Sequence, residues 1–242
     1  MSNPTAAQRL TAALALDLPP VALTFTDTPP DGVAGPAHEV TSACAFWRMA
    51  EQGVFYAPAD AHNNCPIGAM VMGFPLTDAL QTQLGELVTS MCECTYLNPE
   101  EGDKIPGVQP SAAGILYGPL ADLPTPPQVV LFWLTPRQAM IYNEAAGTAS
   151  WAQPNILSTG RPACAALPSA ISSGNPTVSW GCMGMRTFTE IADDRLLAAV
   201  PGPRLDSFLD DLDRVVAANQ TMKDFYEGKK AALTAALTVP TS

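Results

Sequence analysis

The strongest constraint on the fold is an internal repetition, in which each half of the chain carries a double proline just before an apolar segment. The prolines at 19–20 precede residues 21–26, and those at 126–127 precede residues 129–135. Both segments are rich in β-branched and aromatic residues, which favours strands. A unit that occurs twice in one chain usually packs against its copy. We therefore expect two similar halves related by a pseudo-twofold axis.

Four of the six cysteines share this repetition. Cys44 and Cys164 each stand between two alanines, while Cys65 and Cys182 each have a glycine close behind. Because equivalent positions of two packed halves meet near their axis, we expect these four sulfurs to converge. Four thiolates at one place would form a soft site for zinc or for an iron–sulfur cluster.

Local context separates the cysteines further. Cys44 and Cys164 are predicted to begin helices, where the helix dipole would lower the pKa of the thiol. Cys92 and Cys94 are two residues apart, about 200° around a helix, so they cannot both bind one metal ion unless the helix has ended. They are interpreted as packing residues, with auxiliary ligands as the alternative.

Other chemistry-bearing side chains stand close to these cysteines in sequence. His62 precedes Cys65 by three residues and is a candidate proton donor or metal ligand. Arg186 is a candidate for binding a substrate carboxylate through two hydrogen bonds. A surface-loop histidine and an ordinary surface arginine are the alternatives. Met183 and Met185 flank the glycine after Cys182 and would suit copper(I) or haem, although core packing explains them as well.

Composition excludes several classes of protein. Hydrophobic residues make up 47% of the 242 residues, which is enough to form a core and argues against disorder. The formal net charge of −11 argues against nucleic-acid binding, which needs basic groups on the protein. No apolar run approaches the roughly 18 residues that cross a bilayer, and no signal peptide is apparent. These features predict a cytoplasmic protein, in which six cysteines stay reduced rather than forming disulfides.

The predicted fold class is α+β, with two pseudo-repeated strand/helix halves in one compact domain and a long C-terminal helix. The single domain covers residues 1–242, with halves at about 19–121 and 122–205 and the helix at 206–242. Helical spacing of apolar residues is clearest in that last segment, from Phe208 to Val216.

The same cysteine-centred motifs resemble a known family. They are Cys44 with Trp47, the segment 64–69 with Gly73, the segment 163–165, and the segment 181–186 followed by residues 200–201. On these residues the chain resembles the domain of unknown function 169 family, an uncharacterised bacterial and archaeal group, over roughly residues 19–205. The resemblance implies that Cys44, Cys65, Cys164 and Cys182 are the shared cysteines and that Cys92 and Cys94 lie outside the pattern. It implies no activity.

The leading functional prediction is a metalloprotein with a cysteine-bound iron–sulfur cluster of the [4Fe–4S] type. Four cysteine ligands would suit an electron carrier or an oxidoreductase component. Three ligands would leave one iron open as a Lewis acid, as in a lyase, with the fourth cysteine or Arg186 facing the substrate. A small-molecule substrate or a redox partner protein is expected, and a homodimer is possible in either case.

Three alternatives remain open at this point. One is a domain that holds structural zinc or binds a small molecule without catalysis. The second is a metal-free thiol enzyme, with Cys65 or Cys182 as the nucleophile near His62. The third is a haem protein with a thiolate ligand. Nucleic acid and membrane are not expected partners under any of them.

Overall fold

The computed structural model of the protein describes residues 1–109, 112–147 and 158–237. The α-helices in these ranges are α1 (Asn3–Leu14), α2 (Ala45–Ala50), α3 (Pro66–Val71), α4 (Asp78–Glu93), α5 (Pro136–Ala145), α6 (Ala166–Ser173), α7 (Met183–Thr189) and α8 (Leu205–Leu237). The strands are β1 (Val21–Thr26), β2 (Phe55–Pro58), β3 (Gly114–Pro119), β4 (Val129–Leu134), β5 (Ser158–Thr159), β6 (Thr177–Ser179) and β7 (Leu196–Pro201). Short 3₁₀ helices cover Ala59–His62, Pro99–Lys104, Ala163–Ala165 and Gly202–Arg204.

Local sequence explains where several of these elements lie. All six residues of β4 are buried, as expected for an uninterrupted apolar run in the centre of a sheet. Helix α5 follows at once, because Thr135 caps it by accepting a hydrogen bond from the N–H of Gln138. Pro136 occupies its first turn, where no backbone N–H is needed.

The strands of the described ranges form one sheet in the order β2-β3-β1-β4-β7-β6-β5. Only the short β5 pairs in parallel, with β6, and every other neighbouring pair is antiparallel. The arrangement of strands is the same on both sides of the β1–β4 contact. Moving outward from β1, the next strands in the sheet are β3 and then β2. Moving outward from β4, they are β7 and then β6. The sheet therefore consists of two similar three-stranded units, with β5 added at one edge.

The register between β1 and β4 shows the pseudo-twofold relation directly. Val21 lies opposite Leu131, and its counterpart Val129 lies opposite Leu23. Exchanging the two strands leaves this pairing unchanged, so the axis passes between them. The predicted fold class, with two similar strand/helix halves and a long C-terminal helix, is confirmed.

Each face of the sheet is covered by its own set of helices. One face carries Val21, Leu23 and Phe25 of β1 and packs against α2, α3, α6 and α7. The opposite face carries Ala22 of β1 and packs against α1, α5 and the first part of α8. Because successive side chains of a strand point to opposite faces, one strand supplies both cores. The segments that carry Cys44, Cys65, Cys164 and Cys182 belong to the first face.

The first half contains an insertion that the second half lacks. Between α3 and β3 the chain forms α4 and the 3₁₀ helix at 99–104, whereas α7 leads to β7 through a short turn. Cys92 lies within α4 and Cys94 caps its C-terminus. Their position in the insertion explains why these two cysteines have no counterparts in the second half.

Helix α8 continues well past the body of the protein. Phe208 and Leu212 are fully buried against the sheet, but every residue from 221 to 234 is exposed. Residues 238–242 of the predicted C-terminal segment lie outside the described residues. None of the described helices combines the length and the apolar character needed to cross a membrane.

Candidate functional site

A cavity of about 1260 Å³ lies on the face of the sheet covered by α2, α3, α6 and α7. Cys44, Cys65, Cys164 and Cys182 all line it, two from each half of the chain. The four residues therefore share one space, but within the described part of the chain they form no group that could hold a metal ion. The volume of the cavity exceeds the usual range of small-molecule sites, about 300–1,000 Å³.

The inserted helix α4 supplies the apolar wall of this cavity. Leu84, Leu87, Val88 and Met91 lie at helical spacing and all line it. None of the four is fully buried, and Leu87 is 36% exposed, although Leu80 on the same helix is buried in the core. An amphipathic helix normally covers such a stripe with protein. In α4 the stripe faces the cavity instead.

Cys65 and Cys182 have matching local geometry. Each is the N-cap residue of a short helix, α3 and α7 respectively, and each is partly exposed. The Cys65 Sγ accepts a hydrogen bond from the N–H of Gly68 at 3.3 Å, and the Cys182 Sγ accepts one from the N–H of Met185 at 3.4 Å. These bonds orient both sulfurs toward the cavity wall and use them as hydrogen-bond acceptors.

Cys44 and Cys164 contrast with that pair. Both are buried, and burial raises the pKa of the Cys44 thiol to about 11 and that of Cys164 well above its ordinary value. A hydrogen bond with the hydroxyl of Ser42, at 3.4 Å, only partly offsets this effect at Cys44. The prediction that helix starts lower these two pKa values is wrong, because the cost of burying a charge outweighs the dipole of a short helix.

The iron–sulfur prediction, and with it the metal-binding one, is wrong. Among the residues that the structure describes, no group of three or more cysteine, histidine, aspartate or glutamate side chains is placed to hold a metal ion. The four cysteines stand around a wide cavity, and two of them are held as neutral thiols, whereas a metal binds the thiolate. The [4Fe–4S] cluster and the redox or Lewis-acid chemistry built on it therefore lose their basis.

His62 lies in the core rather than in an exposed loop. It is 0% exposed, with its ring between Phe46 and Phe74. Nδ1 is 3.0 Å from the carbonyl oxygen of Pro58, and Nε2 is 3.0 Å from the hydroxyl of Tyr117. Since a carbonyl only accepts, Nδ1–H donates to Pro58 and Nε2 accepts from Tyr117. Both ring nitrogens are thus engaged, and the side chain does not line the cavity.

Arg186 is also committed to the fold. Its guanidinium donates to the backbone carbonyl oxygens of Trp180, Ala192, Asp193 and Arg195. These bonds tie the turn before α7 to the turn after it. The side chain does not line the cavity, so its predicted role in binding a carboxylate gains no support from this placement.

Two wall residues were missed by the reading of the sequence. Arg161 has its guanidinium carbon 4.1 Å from the ring centroid of Tyr96, and both side chains line the cavity. They are 65 residues apart with no motif around either, so no sequence signal links them. The α4 stripe could have been found, because its apolar spacing is visible in the sequence. The haem alternative, the redox partner and the homodimer are tested by none of these contacts and stay predictions.

Comparisons with known proteins agree with the cysteine motifs. The model of the DUF169 family, described as an uncharacterised ArCR, matches residues 9–211, so the chain belongs to this family. No curated protein and no solved structure matches the chain.

Proposed function

We propose that this member of the DUF169 family binds an apolar small molecule between α4 and the cysteine-bearing wall. The observation that carries the proposal is the apolar stripe of α4, which faces a large cavity instead of a protein core. Burying that stripe against a ligand would gain about 25 cal/mol for each Å² of apolar surface removed from water. Most of the exposed surface of the wall is apolar, as is usual for sites that bind small molecules.

The thiols of Cys65 and Cys182 give this site its chemical character. They are the two partly exposed sulfurs on the wall, and each is oriented by one backbone N–H. A ligand in the cavity would contact both of them. The free state of all six cysteines supports a location in the cytoplasm, where thiols stay reduced.

The test is binding of Nile red, a neutral dye that fluoresces in apolar surroundings. We expect one dye molecule per chain and several-fold weaker binding after Leu87→Asn, because the substitution places an amide on the apolar wall. Leu233→Asn is the matched control, since Leu233 is 65% exposed on α8 and does not line the cavity. Equal binding by both variants would place the dye elsewhere and contradict the proposal.

A second measurement locates the dye without relying on a variant that folds. Bound Nile red is expected to slow alkylation of Cys65 and Cys182 by iodoacetamide. Cys94 is the internal control, because it is exposed at the end of α4 and does not line the cavity. Slowing at Cys94 to the same degree, or at none of the three, would count against binding in the cavity.

A thiol-dependent enzyme is the second candidate, and the accessible N-cap sulfurs favour it. Cys65 or Cys182 would act as the nucleophile, without His62 as its base, because both nitrogens of that ring are already engaged. Cys65→Ser and Cys182→Ser separate the two candidates. Each should retain Nile red binding, and the nucleophile's variant alone should lose covalent capture of an electrophilic apolar compound.

A further inference from the structure

Arg161 occupies a defined position on the cavity wall. Its guanidinium stacks on the ring of Tyr96, with 4.1 Å between the guanidinium carbon and the ring centroid. The hydroxyl of Tyr96 in turn accepts a hydrogen bond from the N–H of Met183 at 3.3 Å, next to Cys182. The contact thus joins the inserted segment of the first half to the start of α7.

The hydrogen-bonding capacity of this arginine is unused within the part of the chain that the structure describes. The Tyr96 ring covers one face of the guanidinium, but no described side chain or carbonyl accepts from its nitrogens. Stacking uses the face of the group and leaves its in-plane N–H donors available. Those donors match the two oxygens of a carboxylate.

The other charged groups on the wall lie together on one exposed 3₁₀ helix, Pro99–Lys104. Glu101 is engaged there, because its carboxylate accepts the N–H of Asn98 at 2.9 Å. Asp103 and Lys104 are neighbours of opposite charge on the same segment. Arg161 therefore differs from these groups in two ways. Its guanidinium is held against another wall residue, Tyr96, and, in the described part of the chain, its N–H groups remain free to donate hydrogen bonds to a ligand.

Building on the proposed function, we infer that the ligand is an apolar carboxylic acid whose carboxylate binds Arg161 while its hydrocarbon part lies along α4. The inference has two parts that rest on different residues. The carboxylate is assigned to the Arg161 guanidinium over Tyr96, and the hydrocarbon part is assigned to the α4 stripe that includes Leu87. An ion pair at Arg161 would fix the carboxylate at that point of the wall and leave the hydrocarbon chain in the cavity that Cys65 and Cys182 also line.

Displacement of bound Nile red by dodecanoate and by dodecanol tests this inference. The two compounds share a hydrocarbon chain and differ in the head group. We expect dodecanoate to bind the wild-type chain about tenfold or more tightly than dodecanol, as a charge-assisted pair allows. Arg161→Gln should remove most of that difference and leave dodecanol binding unchanged. Arg137→Gln, an exposed arginine on α5 across the sheet, is the matched control and should leave both affinities unchanged.

The outcomes distinguish this inference from the proposed function. If Nile red does not bind at all, the proposed function fails. If the dye binds and the two compounds displace it equally, the proposed function stands and the carboxylate inference is refuted. Tighter binding of dodecylamine than of dodecanoate would also refute it, by showing that the acidic groups at 101–103 select a cation.

Discussion

Acid should destabilise this fold through a single buried histidine. His62 is 0% exposed, and burial lowers its pKa from 6.5 to about 4. The unfolded chain therefore takes up a proton near pH 6.5, while the folded chain resists protonation until about pH 4. The unfolded state binds more protons between these values, so the free energy of unfolding falls as the pH falls. The stabilisation is complete above pH 6.5 and is lost progressively toward pH 4.

The size of the effect follows from the two pKa values. At pH 5 the His62 contribution amounts to about 2 kcal/mol relative to pH 7, and it approaches about 3 kcal/mol at lower pH. A loss of that size is a large share of the stability of a typical domain. A change of that size is larger than the error of urea unfolding followed by tryptophan fluorescence, so the experiment can detect it.

The decisive measurement compares wild type with His62→Gln at pH 7 and pH 5. Glutamine can keep the bond to Tyr117 but does not titrate, so the variant should be less stable at pH 7 and lose the His62 part of the acid sensitivity. The difference between the two proteins should shrink by about 2 kcal/mol at pH 5. Carboxylates titrate in both proteins, so their contribution cancels. His38→Gln, which replaces the other, exposed histidine, should follow wild type. A difference between wild type and His62→Gln that stays constant with pH would refute the reasoning.

Three further predictions concern reactivity and packing. At pH 8, iodoacetamide should modify Cys65 much faster than Cys44 in peptide-mapping experiments. The Cys44 thiol has a pKa of about 11, so only about one molecule in a thousand is ionised at this pH. Equal rates would contradict the burial of Cys44. Phe208→Ala should lower the free energy of unfolding in urea by about 3–5 kcal/mol, because this side chain is 0% exposed. Phe225→Ala should lower it by less than about 0.5 kcal/mol, because that side chain is 52% exposed. Comparable losses would mean that α8 is packed along its length. Gly202→Ala should prevent folding, because the new Cβ would stand 1.6 Å from a backbone carbonyl oxygen; a variant with wild-type circular dichroism and melting temperature would rule out this close contact.

The positions of most strands and of the last helix could be predicted from local pattern. Residues 21–26 and 129–134 are rich in β-branched and aromatic residues and follow double prolines, and each segment forms a central strand of the sheet. Helix α8 was expected from the spacing of Phe208 and Leu212, and both residues are fully buried in the core. These features are readable because the period of apolar residues depends on the element and not on its neighbours.

The protonation of the cysteines could not be predicted in the same way. The sequence predicts helix starts at Cys44 and Cys164, yet the sulfurs that accept a backbone hydrogen bond at the cavity wall are those of Cys65 and Cys182. Cys44 is buried, and its pKa rises to about 11. The extent to which distant segments cover a sulfur decides the cost of its charge, and that cover is not encoded in adjacent residues.

The sequence alone predicted two similar halves and grouped four cysteines by their repeated context, whereas the structure shows that the halves pair through β1 and β4. A repeated pattern builds the same unit twice, and two copies of a unit bring equivalent residues together. Only the tertiary structure decided what space the four cysteines line. Helix α4, inserted in the first half alone, lines this space with an apolar stripe, and Arg161 of the second half stacks on Tyr96 of the first. Contacts between residues so distant in sequence arise only when the chain has folded, so the character of the site depends on packing that no local pattern specifies.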